Sequence, residues 1–272
     1  MKLYVFNPDA DMALGNNEEN YMAPATIRRM AEDLALLPVW YAQSGSGVLA
    51  PSAYNADFLK QMQQLFRLDV QLVTEPELPD YADVQVMPWG WSPAIRQRLL
   101  KGGIPERGLP DAEYMRLYRK LASRCSSLLL FYLLNMSDFD YVHGECPIMY
   151  DGSEGKDLLS GMDAETFDKG CVMKSLWSGS GKGLRWCREE ITESTYKWCL
   201  RMLKEDGAFI VEPIYDKVED FAMEFYSDGN GKVRFVGYSR FTTDDKGAYL
   251  GNLLSSAGQG GEWCRQDVRV EA

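Results

Sequence analysis

The residues best placed to do chemistry lie in the stretch Val172 to Leu184, where an apolar run ends in Lys174 and gives way to Ser178-Gly179-Ser180-Gly181-Lys182. Glycines let backbone N–H groups approach an anion closely, and lysines add point charge, so phosphate is the ligand this composition suits. The same residues also read as a plain Gly-Ser hairpin loop. Leu176 and Gly183 stand where a Walker loop requires Gly and Ser or Thr, and Leu184 stands where a dinucleotide fingerprint requires its third glycine. Neither motif is met.

Further along, Phe209-Ile210-Val211-Glu212-Pro213-Ile214-Tyr215 is an apolar strand ending in an acid, a proline and a short apolar pair. Such a segment can offer backbone hydrogen bonds to a purine edge. Glu219, Asp220 and Glu224 follow at and along the next strand, and a carboxylate at the strand mouth can accept from ribose hydroxyls. Glu224 also fits the solvent side of an alternating strand.

The elements that must position these groups divide into two styles. Residues 2–6, 37–42, 69–73 and 83–87 are short apolar, β-branched or aromatic runs, with helical periodicity over 24–36, 54–66 and 92–101. That alternation predicts a parallel α/β unit over residues 1–105. Residues 106–145 form a linking segment, helical from Asp111 to Asn135, with Arg116, Arg119, Lys120 and Arg124 among its apolar positions. Residues 146–272 turn to strands at 170–175, 183–187, 208–212, 220–226, 232–241 and 248–253, with helices at 157–162 and 192–205. Asp228-Gly229-Asn230-Gly231 and Asp244-Asp245-Lys246-Gly247 are hairpin chemistry, because Asn and Gly tolerate positive φ. The second half therefore reads as α+β with antiparallel hairpins.

A strand lysine before a glycine-rich hairpin, a Val-Glu-Pro-Ile-Tyr hinge and a following strand led by acids occur here in one order. In this the chain resembles the ATP-grasp superfamily over residues 110–255, with residues 1–105 in the place of the preceding α/β domain. The resemblance implies ATP and Mg2+, and formation of an acyl phosphate from a small-molecule carboxylate, followed by attack of an amine or other nucleophile. It also implies that Lys174 contacts the α- and β-phosphates. Ser178, Gly179, Ser180, Gly181 and Lys182 would close over the β,γ-phosphates. Glu212 and Ile214 would meet adenine, and Asp220, or else Glu219, the ribose. Lys120, Arg119 and Arg124 compete to supply a second nucleotide cation. Arg240 is a candidate for phosphate or the acyl substrate, or a surface cation, with Tyr249, Gly251 and Asn252 nearby. The family's late metal-binding acids and asparagine have no counterpart in Glu262 to Ala272, and Glu224 is a possible acid on an earlier strand, so the resemblance leaves a magnesium site that this sequence does not identify and three explanations: a chain shortened at its C-terminus, a descendant that only binds, or metal ligands from another arrangement. Binding of ATP without turnover and phosphoryl transfer on the same scaffold are the alternatives.

Composition narrows the partners. Among 272 residues, 40 acidic against 29 basic side chains give a net charge of −11, a field that repels polyanions, so nucleic acid is not expected. The apolar start is far too short for a signal peptide, and Leu128 to Leu134 falls short of the roughly 20 residues of a membrane-spanning helix. These features predict a cytoplasmic protein. Six cysteines without a Cys-x-x-Cys pair, beside a single histidine, His143, read as reduced, mostly core thiols rather than metal ligands. The acid-rich run from Asn7 to Tyr21 follows the first strand, where parallel sheets form ligand crevices, and it also reads as a solvated loop. Trp89-Gly90-Trp91 is either an aromatic wall for substrate or interface packing.

Overall fold

The computed structural model describes residues 1–136, 145–152, 170–178, 183–188 and 191–253. Strands β1 (Lys2–Val5), β2 (Ser46–Ala50), β3 (Val70–Thr74) and β4 (Gln85–Pro88) form a parallel sheet in the order β3-β2-β1-β4. Side chains alternate across a strand, so each strand feeds two cores. Leu3, Val5, Leu49, Val73 and Val86 pack with Ile95 and Leu99 of the helix Pro93–Lys101. Tyr4, Val48, Ala50 and Val70 pack on the other face with Leu36, Val39 and Leu59. The predicted α/β fold class is what the chain adopts.

Two details differ from expectation. The apolar run 37–42 is not a strand: Leu37–Trp40 is a 3-10 turn, and the second strand is Ser46–Ala50. Pro38 explains the first part, since it fixes φ and removes a ladder donor. Gly47 hid the true strand, and that glycine is wanted there because a Cβ would lie 2.8 Å from Val73 Cγ2. The acid-rich loop contains a short helix, α1 (Ala10–Asn16), which buries Ala10, Ala13 and Leu14. In chain order, the other helices are α2 (Ala25–Asp33), α3 (Ala56–Phe66), α4 (Pro93–Lys101), α5 (Ala112–Leu121), α6 (Cys125–Met136) and α7 (Glu193–Glu205).

The linking segment is a helix pair, α5 and α6. Asp111 caps α5 by accepting from Tyr114 N at 2.7 Å. A second sheet is antiparallel, in the order β5-β8-β6-β7, from Ile148–Tyr150, Phe209–Pro213, Cys171–Ser175 and Leu184–Cys187. The short β5 was not foreseen from its three residues. One face, with Cys171, Met173, Phe209 and Val211, packs on Trp198, Cys199 and Met202 of α7. Strands β9 (Asp220–Ser227), β10 (Val233–Thr243) and β11 (Tyr249–Leu253) make a third, antiparallel sheet. The predicted helix at 157–162, His143 and Cys264 lie outside the described residues. No helix among the described residues is long and apolar enough to cross a membrane.

Five cysteines are free thiols, three of them buried. Burial pushes Cys171 up to about 11 and Cys199 up to about 12 from the ordinary 9.0. Above about pH 9 the unfolded chain releases thiol protons that the native chain keeps, so stability is full below that pH and falls as pH climbs toward the native values. Urea unfolding across this range should show a declining alkaline limb that Cys199→Ala flattens. A thiol reagent at neutral pH should label exposed Cys146 well before Cys171 or Cys199.

Candidate functional site

Lys174 and Glu212 come from neighbouring strands. In the β6–β8 register Lys174 lies opposite Ile210 and Glu212 opposite Val172, so the two side chains are diagonal neighbours on the face away from α7. Lys174 Nζ donates to Glu212 Oε2 at 2.5 Å, with both side chains about one quarter exposed. The strand lysine and the acid before Pro213 are thus held as one ion pair.

The hairpin root just beyond Lys174 is fixed by a clasp. The Arg124 guanidinium donates to the Ser175 carbonyl, to Ser178 Oγ at 2.8 Å and to the Ser178 carbonyl at 2.7 Å, while its backbone N–H donates to the Leu176 carbonyl at 3.0 Å. Burial lowers the Arg124 pKa, and Glu212, Asp11 and Asp206 oppose that shift. Of the three cations that competed, Arg124 is the one in the field of the Lys174–Glu212 pair. Lys120 is exposed on α5. Arg119 turns elsewhere, donating to the carbonyls of Leu14 at 2.9 Å and Gly15 at 3.0 Å, with its guanidinium 3.9 Å from the Trp177 ring. Trp177 Nε1 donates back to the Arg119 carbonyl at 3.2 Å.

Asp206, at the end of α7, accepts from Leu176 N at 3.3 Å. Burial raises its pKa, while the Leu176 amide and both arginines pull it down. Nothing in the sequence flagged Asp206, because it lies 30 residues from its partner and only the fold joins them.

Gly183 closes the described part of the hairpin. Its carbonyl accepts from Ser175 N at 2.9 Å, its φ is +71°, and a Cβ there would lie 2.1 Å from Ser175 Oγ. Only glycine fits that conformation without strain. Gly179, Ser180, Gly181 and Lys182 lie outside the described residues.

The other predicted residues gather in pairs of their own. Ile214 N donates to the Gly170 carbonyl at 3.1 Å, so a purine reading that amide would have to displace the bond. Asp220 accepts from Lys217 and from Thr243 Oγ1, each at 2.8 Å, and the Lys217 hydrogen bond is the main cause that holds its carboxyl below the usual range. Arg240 pairs with Glu219. Glu224 is exposed opposite Gly237, and Asn252 and Gly251 stand opposite Phe241 and Thr242. The turn of this third sheet meets β7, where Trp186 Nε1 donates to the Lys246 carbonyl at 3.3 Å. Trp89 is largely exposed and edge-on to Phe6, whereas Trp91 packs against the sheet core. Among the described residues, no three His, Cys, Asp or Glu side chains come together as metal ligands.

No family model and no curated protein matches the chain. Solved structures similar to it include N5-carboxyaminoimidazole synthetase from Staphylococcus aureus complexed with ADP, at 11% identity over 76% of this chain and 57% of that one, with a TM-score of 0.43. D-alanyl-alanine synthetase A from Vibrio cholerae is similar at 14% identity over 74% and 68%, with a TM-score of 0.44. The biotin carboxylase-beta-gamma-ATP complex from Campylobacter jejuni is similar at 14% identity over 92% and 53%, with a TM-score of 0.47. The chain spans between about half and two thirds of the length of these proteins.

Gly183→Ala should lower the urea midpoint by an amount equivalent to roughly 1–3 kcal/mol, the usual scale for a non-glycine residue forced into such a conformation. Gly229→Ala, at positive φ but with open space around it, provides the control and should cost less.

Proposed function

We propose that the chain is an ATP-grasp-type protein that binds ATP and uses it to join a carboxylate to an amine or other nucleophile. One observation carries this reading: Lys174 and Glu212 are paired on adjacent strands at the root of a glycine-rich hairpin whose closing residue has the backbone geometry of glycine alone. In this reading Lys174 exchanges Glu212 for the α- and β-phosphates when nucleotide enters, and Glu212 turns to the adenine edge. Arg124 holds Ser178, the residue from which the chain enters the predicted phosphate loop. Asp220 is the ribose partner and Arg240 a phosphate or acyl-substrate partner, each leaving the ion pair it now makes. Residues 1–105 supply the acceptor side, 106–145 connect, and 146–272 bind nucleotide.

The chemistry needs no covalent protein nucleophile. A substrate carboxylate oxygen attacks the γ-phosphorus, the bond from that phosphorus to the β-bridging oxygen breaks, and ADP leaves. The nucleophile's nitrogen then attacks the acyl carbon, the carbon–oxygen bond to phosphate breaks, and inorganic phosphate leaves. The chain's part is to neutralise charge and exclude water while this happens.

Lys174→Ala should weaken ATP binding, read by calorimetry, by roughly tenfold to a hundredfold, the worth of one charge-assisted contact. Unchanged affinity would sink the phosphate assignment. Hydroxylamine added with ATP and a carboxylate should give a hydroxamate, since only an acyl phosphate is trapped that way. ATP binding without ADP release would instead favour a binding protein, and phosphate on a hydroxyl without hydroxamate would favour a phosphotransferase.

A further inference from the structure

A cavity of about 1040 Å³ lies beside α5 and reaches the hairpin root, where Leu176 and Trp177 belong to both. Its volume sits at the top of the range for small-molecule sites, so it is oversized for acetate or a free amino acid. Leu109, Met115, Met149, Leu176 and Trp177 are the large apolar side chains that line it.

The charges around it divide unevenly. Arg96 and Glu106 neutralise one another at 2.7 Å, Asp111 caps α5, and Arg119 is held by the Leu14 and Gly15 carbonyls. Arg116 and Lys120 remain, one helical turn apart on the same face of α5, with no side-chain partner among the described residues. Beyond the paired Glu106 and the capping Asp111, Glu19 is the acid in the lining.

We infer that this cavity binds an organic carboxylate with an extended apolar body, its anionic head on Arg116 and Lys120 and its chain along the Met115–Met149–Trp177 wall. The inference deepens the proposed function by naming the class of acid to be activated, and it rests on that function for the reaction though not for the binding. A short acid would leave the apolar wall wet. Each methylene laid on the wall multiplies affinity by roughly fourfold at most. An amine of the same length would meet two cations instead of one acid. The same cavity is lined by Leu176 and Trp177, which follow the strand that carries Lys174.

The test uses octanoate as probe, with acetate and octylamine as comparisons, titrated calorimetrically into the full chain without nucleotide. Octanoate should bind at least about tenfold more tightly than acetate, and octylamine should not bind measurably. The double variant Arg116→Ala/Lys120→Ala should lose at least about tenfold for octanoate, whereas Arg116→Lys/Lys120→Arg should retain it. Both positions are exposed, so a circular dichroism spectrum matching wild type separates lost binding from lost fold. Equal affinity for octanoate and acetate, equal binding of octylamine, or full affinity in the alanine double variant would each overturn the inference. ATP titrated separately keeps the two readings apart: octanoate binding without ATP binding upholds the cavity and removes the ligase, and ATP binding without octanoate binding overturns the cavity and leaves the nucleotide site standing.

Discussion

Arg124 is the constraint on which the rest of this structure depends. The strand that ends at Ser175 must be joined in a fixed way to Leu176, Trp177 and Ser178, which lead out of it. Arg124 does this with directed donors, reaching two carbonyls and one hydroxyl at the hairpin root while its own backbone amide takes a third carbonyl. A partly desolvated guanidinium is costly unless its donors are matched and acids are close. Here Glu212, Asp11 and Asp206 supply the field.

The clasp also ties the two halves of the chain together. Arg119 clamps the end of α1 through the carbonyls of Leu14 and Gly15, stacks on Trp177, and receives the indole N–H on its own carbonyl. Gly15 permits the approach, since a Cβ there would lie 3.1 Å from the Trp177 Cβ. The parallel sheet reverses strand order between β1 and β4, and the chain leaving β1 is the segment that leads into α1. Crevices form at such reversals. Cavities of about 370 and 430 Å³ open there and share Asp9, Tyr21, Glu75 and Arg98.

Charge is handled locally throughout. Lys174 with Glu212, Lys217 with Asp220 and Arg240 with Glu219 are cations and acids from the predicted site or its flanks, each held by the other. These pairs lie at or near the surface, with the Lys217 and Arg240 side chains 49% and 60% exposed.

The sequence by itself determined the alternation of strands and helices in the first 105 residues, the antiparallel hairpins of the second half and the strand position of Lys174. Those features follow from side-chain period and turn chemistry, which are local. It misplaced the second strand because an apolar run containing Pro38 outweighed one containing Gly47, and it named Arg119, Lys120 and Arg124 together without separating them. Tertiary structure alone decided that Arg124 grips the hairpin, that Asp206 holds the Leu176 amide and that Lys120 faces a cavity instead. Residues on one helix share the same local signals, and which neighbour each meets depends on how α5 and α6 pack against a strand more than fifty residues away. Such contacts arise from the packing of whole elements and leave no periodic trace in the chain.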